Sequence, residues 1–379
     1  MSDERCHQRR RAGRASAVAI IGATMVGLAL AGCTIGPHTV GRDRFDYSAA
    51  IAESWKSQML LNLVKIRYSD PPIFLDVGQI VSGYTVQSTF TASGNIFSFN
   101  SPNGFNPAGV PSSSIGLGAQ GQFTDRPTIT YAPLVGERFA RSFMAPMPPA
   151  AVLSLIQAGN PADVLIRMTV HVVNGLHNRF GGDLRATQAD PEFYEMLAHL
   201  RRVQLSGAIG MRIRRIDKED AATLMTFRRE VQPSVDADIL AVRKLLGIDP
   251  AARELRVVYG SVPADDKELA MLTRSILEIL VDISSFIEVP EAHVAEGRVG
   301  ATAPPEAGPS GPLPPLIRIH SSADRPANAF VAVHYQDYWV WIDNRDILSK
   351  RLFSFLMFIF TLVETGPRES PTVITIPTG

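Results

Sequence analysis

The sequence is poor in cysteine, in net charge and in long apolar runs, and each shortage excludes something. Only Cys6 and Cys33 occur in 379 residues, both ahead of the globular part, so no disulfide is expected to hold the fold. A chain of this length buries enough apolar surface to stand without one. Lys+Arg and Asp+Glu both number 37, and no basic cluster makes the positive surface that a phosphate backbone requires, which removes nucleic acid as an expected partner. No apolar run reaches the roughly 20 residues of a spanning helix. The spellings HExxH, paired CxxC, GxSxG and the P-loop are absent as well, and with no free thiol beyond the leader a cysteine nucleophile is excluded.

What is present begins with the leader. Arg5, Arg9, Arg10, Arg11 and Arg14 are followed by an apolar run over 15–30 and then by Leu30-Ala31-Gly32-Cys33. Basic region, apolar region and a Leu-small-small-Cys ending, in that order, resemble the signal peptide and lipobox of bacterial lipoproteins. The resemblance implies cleavage before Cys33, lipid on its sulfur and usually an amide-linked acyl chain. At about 0.8 kcal/mol per buried methylene several chains hold firmly where one holds marginally. Thr34, rather than Asp, follows the Cys, which by the same resemblance implies the outer membrane, facing the periplasm. Without residues 1–32 the chain carries 32 basic and 35 acidic side chains, a weakly acidic mature protein.

The organisation expected is α+β. A lipidated tether and an amphipathic helix occupy 33–75, the helix over 47–67, with Tyr47, Ile51, Trp55, Met59, Leu63 and Ile66 at helical spacing. A charge-free β-hairpin region spans 76–132, a mixed α/β domain 133–300, a Pro/Gly linker 301–315, and a C-terminal α+β unit 316–379, in which a sheet packs on a buried helix. Helices are expected over 148–158, 161–173, 190–200, 236–246, 267–286 and 345–364, and strands over 211–216, 255–259, 316–320, 330–335, 338–342 and 372–376.

The most unusual stretch is 77–124, which contains no Asp, Glu, Lys, Arg or His, although at 20% charged about ten would be expected. Tyr84, Val86, Phe90, Ala92 and Ile96 alternate with Thr85, Gln87, Thr89, Thr91, Ser93 and Asn95. Ile115, Leu117, Ala119 and Phe123 alternate with Ser114, Gln120, Gln122 and Thr124, after a turn-rich connection over 100–113. Period-two alternation on both sides of such a connection is a hairpin signal. Tyr84, Val86, Phe90, Ile96, Ile115, Leu117 and Phe123 are the membrane-facing or oligomer-facing set. Thr89, Thr91 and Gln120 would then face a lumen, with Phe97, Phe99 and Phe105 near an interface.

Few residues invite chemistry. Gly116-Leu117-Gly118-Ala119-Gln120-Gly121 spells a dinucleotide fingerprint, but Pro111 and three serines precede it where an apolar strand is needed, and Pro127 follows where a helix is needed. His171 and His177, six apart, share no helix face and lack a ligand set. Asp343-Asn344-Arg345-Asp346 reads as a helix N-cap rather than a cation site. Trp339 and Trp341 lie on one face of a strand, where they either stack on a cell-wall sugar or a protein partner, or pack in the core against the helix over 345–364. No catalytic, cofactor or metal residue is assigned.

These readings lead to a lipid-anchored, non-enzymatic envelope component, a structural, assembly or transport-complex subunit whose hairpin serves oligomerisation or membrane insertion. Its expected partners are the membrane, through Cys33, and copies of itself or another envelope protein. The alternatives are a periplasmic binding or scaffolding lipoprotein with a soluble hairpin, and a lipid-anchored hydrolase.

Overall fold

The computed structural model describes residues 37–361 except 82–83, 95–114, 126–127, 182–185, 216–220, 229–230 and 310. Cys33 and the strand expected at 372–376 lie outside the described residues. The chain divides at Gln58/Met59 into two units. The described part of the first is helical and carries the ion pair Glu53–Lys56.

The fold is α+β. Helix α1 (Pro37–Arg67) begins ten residues before the apolar spacing does. In the second unit it buries Met59, Leu60, Leu63 and Val64, and its last residue, Arg67, donates to the carbonyls of Gly300 and Ala301. Two paired ribbons follow, β1 (Leu75–Val81) with β4 (Thr128–Pro133), and β2 (Tyr84–Gly94) with β3 (Ile115–Asp125). Helices α2 (Glu137–Met144), α3 (Pro149–Gln157) and α4 (Ala162–Thr169) lead into a sheet.

That sheet has six strands in the order β6-β5-β10-β9-β8-β7: β5 (Val170–Val173), β6 (Leu176–His177), β7 (Ile209–Arg215), β8 (Ala221–Phe227), β9 (Glu254–Tyr259) and β10 (Glu268–Thr273). Only β9 and β10 run parallel. Helices α3, α5 (Pro191–Leu205) and α6 (Pro233–Leu245) send Leu153, Ile156, Met196, Leu200 and Val242 against Met225, Leu255, Leu269 and Met271 of the sheet. The remaining void there, about 30 Å³, has only apolar walls. It holds about one water's share of volume, yet nothing in it could bond a water.

Helices α7 (Ile276–Ser284) and α8 (Glu291–Ala295) come next, then the short hairpin β11 (Glu306–Gly308) with β12 (Gly311–Leu313). A three-stranded antiparallel sheet ordered β13-β15-β14 follows, formed by β13 (His320–Ser322), β14 (Ala329–Tyr335) and β15 (Tyr338–Asp343), and α9 (Ile347–Phe360) closes the described chain. Asp346 caps α9 by accepting from the Ser349 amide at 3.1 Å, the capping role expected of that acidic turn. Val331, Val333, Val340 and Ile342 belong to the same continuous core as Leu352, Phe353, Leu356 and Ile359 of α9 and the apolar face of the six-stranded sheet.

Several elements differ from the sequence expectation for identifiable reasons. The helix expected over 161–173 ends at Thr169 because the β-branched Val170, Val172 and Val173 enter the sheet. The expected helix over 267–286 is β10 followed by α7, and the join is a capping box. Ser275 Oγ accepts from the Glu278 amide, while the Glu278 carboxylate accepts from the Ser275 amide at 2.8 Å. The strand expected over 316–320 forms instead at His320–Ser322. The Pro/Gly stretch 301–315 holds β11–β12 and buries Glu306.

Candidate functional site

The alternating runs pair as an antiparallel ladder, and a second ladder precedes it in the chain. Pairing in β1–β4 runs from Gln79↔Thr130 to Val81↔Thr128 beyond a bulge, and pairing in β2–β3 runs from Tyr84↔Asp125 to Gly94↔Ile115. Both ladders keep the same residue offset. The eleven paired positions of β2–β3, at about 3.3 Å per residue, make a ribbon of roughly 36 Å. Within it Val86 is paired with Phe123, Phe90 with Ala119 and Ala92 with Leu117, while Thr85, Gln87 and Thr89 are paired with Thr124, Gln122 and Gln120. Rows of mainly apolar residue types thus alternate with rows of polar types, the apolar side being interrupted by Ser88↔Gly121 and ending at Tyr84↔Asp125. Ile96 lies outside the described residues. Gly116, Gly118 and Gly121 sit inside β3, paired with Ser93, Thr91 and Ser88, which is not the strand-turn-helix setting of a nucleotide loop.

Among the described residues neither outer edge of the ribbon has a strand partner. Its root is fixed: Phe74 is buried in an aromatic cluster with Phe143 at 5.7 Å and Phe360 at 4.5 Å, and its carbonyl accepts from the Leu134 amide. Just above that root the surface is apolar, with Ile73, Leu75, Ile129, Tyr131 and Val135 all exposed.

The second feature is the outer side of the three-stranded sheet. Trp339 and Trp341 alternate with the buried Val340 and Ile342, so they lie on the side away from the core, half-buried. Core packing of these indoles against α9 is therefore corrected: residue parity on β15 gives that side to Val340 and Ile342. Trp341 donates from Nε1 to Ser322 Oγ at 3.2 Å and leans on His320, with ring centroids 4.9 Å apart. His320 Nδ1 is 3.0 Å from Glu288 Oε1. Trp339 lies between His334, edge-on at 5.2 Å, and the Arg325 guanidinium at 5.2 Å. Two indoles two positions apart, flanked by imidazole, hydroxyl and guanidinium, form a shelf on which a ring can stack with polar groups at its rim.

The remaining polar clusters bind the fold rather than a substrate. Arg274 is wholly buried; its NH1 is 3.0 Å from Asp282 Oδ2, and its guanidinium also donates to the Arg179 and Met168 carbonyls. Asp282 accepts further from Arg179 and from the Gly181 amide. His171, Glu278 and Ser275 carry the residue types of a catalytic triad in the wrong order. The carboxylate stands between the other two, with Ser275 Oγ 3.0 Å from Glu278 Oε2 and His171 Nε2 3.8 Å from Glu278 Oε1. The imidazole does not reach the hydroxyl. His171 and the Ser275 donors hold the Glu278 carboxyl down at about 2. His177 sits 3.1 Å from Asp190, and the His177 amide bond is the main cause of that carboxyl's lowered pKa. Among the described residues no group of three or more His, Cys, Asp or Glu could hold a metal ion, and no helix is long and apolar enough to cross a membrane.

Sequence reasoning missed Arg274, Asp282, Glu306 and the turn at Asn174-Gly175. The turn was legible: Asn-Gly between Val173 and Leu176 is a two-residue hairpin signal, and both residues have positive φ, 44° and 84°. Asn174 also donates to the Leu246 and Glu268 carbonyls and accepts from the Ala270 amide, tying the β5–β6 turn to β10. No protein-family model, curated protein or solved structure matches this chain.

Proposed function

We propose that this chain is a lipid-anchored, non-enzymatic component of the cell envelope, attached at a membrane through Cys33 and assembling with copies of itself through its hairpin. The observation that carries the reading is the eleven-pair ladder of β2–β3, from Tyr84↔Asp125 to Gly94↔Ile115, with both outer edges unpartnered among the described residues. A long two-stranded ribbon is marginal by itself in water, and its open edges are templates for further strands. In lipid the constraint is stricter, since every backbone group needs a partner and only a closed barrel supplies them, which takes at least about four hairpins. Either solvent thus asks for neighbouring copies. The exposed Ile129 and Tyr131 at the ribbon's root are the kind of surface that association covers. A non-enzymatic role is supported by the use of Arg274 and Asp282, Arg167 and Glu306, and Ser275 and Glu278 in ion pairs and a cap that hold the fold.

The test is assembly of the lipidated chain in membranes, followed by cross-linking and native electrophoresis. Val86→Arg and Phe90→Arg are expected to abolish the oligomer, at roughly 2–4 kcal/mol per charge if the row meets lipid, while Thr89→Arg assembles. A monomeric wild type, or three variants that behave alike, would overturn the reading.

A second reading, a binding or scaffolding lipoprotein, is favoured by the outward shelf of Trp339 and Trp341. Loss of peptidoglycan or partner capture in a stably folded Trp339→Ala, Trp341→Ala double variant that still oligomerises would support it. Unchanged capture would sink it.

A further inference from the structure

The six-stranded sheet ends on β7, and among the described residues no strand pairs with its outer side. A row of backbone N–H and C=O groups along Ile209–Arg215 is therefore open to another chain. A groove of about 780 Å³ crosses from β7 over the end of β8 to the start of β9, with Gly210 in its wall and Arg212, Arg228 and Arg253 around it. The register explains the spacing. Gly210 is paired with Thr226, and Arg212 and Arg228 each stand two positions beyond that row, in opposite directions. They share its side of the sheet about four residues apart along the strands, roughly 13 Å.

All three arginines are exposed. None makes an ion pair or a side-chain hydrogen bond among the described residues, whereas Arg167, Arg179, Arg202, Arg256 and Arg274 all do. Glu254 on the same rim is already partnered. Among the described residues the charge left over at this edge is positive, and it sits where Gly210 presents no side chain to keep a neighbouring backbone away. A second copy of β7 would bring arginines towards arginines. An acidic strand meets no such opposition.

We propose that β7 takes up an extended acidic segment of a partner protein as a seventh strand, with one carboxylate facing Arg212 on β7 and another reaching across Gly210 towards Arg228, which stands one strand further in at the end of β8. Backbone pairing along the edge supplies the binding, and the arginines select the charge, because opposite charges on facing or neighbouring strands of one sheet side attract and like charges repel. The inference is independent of how the hairpin assembles.

The probe is a fluorescein-labelled octapeptide with glutamate at alternate positions and valine or threonine between, titrated into the full chain and followed by anisotropy and amide exchange. The expected result is saturable binding that weakens as ionic strength rises, with slowed exchange at the β7 amides. The Arg212→Gln, Arg228→Gln double variant is expected to bind about tenfold more weakly while keeping the wild-type melting temperature. A glutamine counterpart that binds as well would overturn the charge selection. Binding without slowed exchange at β7 would overturn strand addition. Polyphosphate or anionic-lipid vesicles that displace the peptide and bind the groove more tightly would overturn a protein partner.

Discussion

Arg167 and Glu306, 139 residues apart, form a two-pronged ion pair, with NH2 2.8 Å from Oε1 and Nε 3.1 Å from Oε2. The pair closes β11–β12 onto α4 and α5, since Tyr194 donates its hydroxyl to the same carboxylate and Arg167 also donates to the Pro314 carbonyl. Burial, with Glu306 beside it, pushes the Tyr194 phenol up and keeps it a donor. Because both charged side chains are largely buried, removing one strands the other. Arg167→Met is expected to cost about 3–5 kcal/mol in urea unfolding, and the double variant Arg167→Met, Glu306→Leu less than the single one. A single variant within about 0.5 kcal/mol of wild type would show that the pair is solvated in solution.

Acid should weaken the fold through Glu278. Its carboxyl is held at about 2 against an ordinary 4.5 by His171 and by the Ser275 donors. A folded-state pKa below the unfolded one gives stability that is complete above about 4.5 and is lost as the pH falls towards 2. Asp190 and Asp238 are lowered too, by the His177 amide and by Arg202, and act in the same direction. The Glu278 side chain is 40% exposed, so solvent screens part of the effect. Melting temperatures of wild type and His171→Ala between pH 5 and pH 2, a window taken from those values, should converge as the pH falls. A constant gap would remove His171 as the cause.

On β15 the two sides should respond differently to truncation. Ile342 is fully buried, so Ile342→Ala is expected to cost about 2–5 kcal/mol. Trp339→Ala, on the outward side, should cost only about 1–2 kcal/mol despite the larger side chain. Equal losses in denaturant midpoint would return the indole to the core.

Membrane attachment is expected to fail when Cys33 is replaced. Cys33→Ala should accumulate as uncleaved or mis-sorted chain, read by electrophoretic mobility and by fractionation of membranes from soluble protein. Normal cleavage and retention of that variant would remove the lipid anchor from the proposal.

The sequence by itself determined the features that depend on neighbours along the chain. Alternation over 84–94 and 115–124 is enough to specify a hairpin, because period two is a property of the strand itself, and the observed register puts Val86 with Phe123 and Phe90 with Ala119. The cap of α9 at Asp346 was legible for the same reason, and so, though unread, were the Asn174-Gly175 turn and the Ser275–Glu278 capping box. Tertiary structure alone decided what depends on distant partners. Val170–Val173 and Glu268–Thr273 contain apolar runs that a helix would tolerate, and they became strands because they lie beside each other in the sheet. Glu306 reads as one more acid in a Pro/Gly stretch until Arg167 arrives from 139 residues away. Whether Trp339 and Trp341 face in or out was likewise undetermined, since both sides of β15 carry large apolar residues and only the position of α9 selects Val340 and Ile342 for the core.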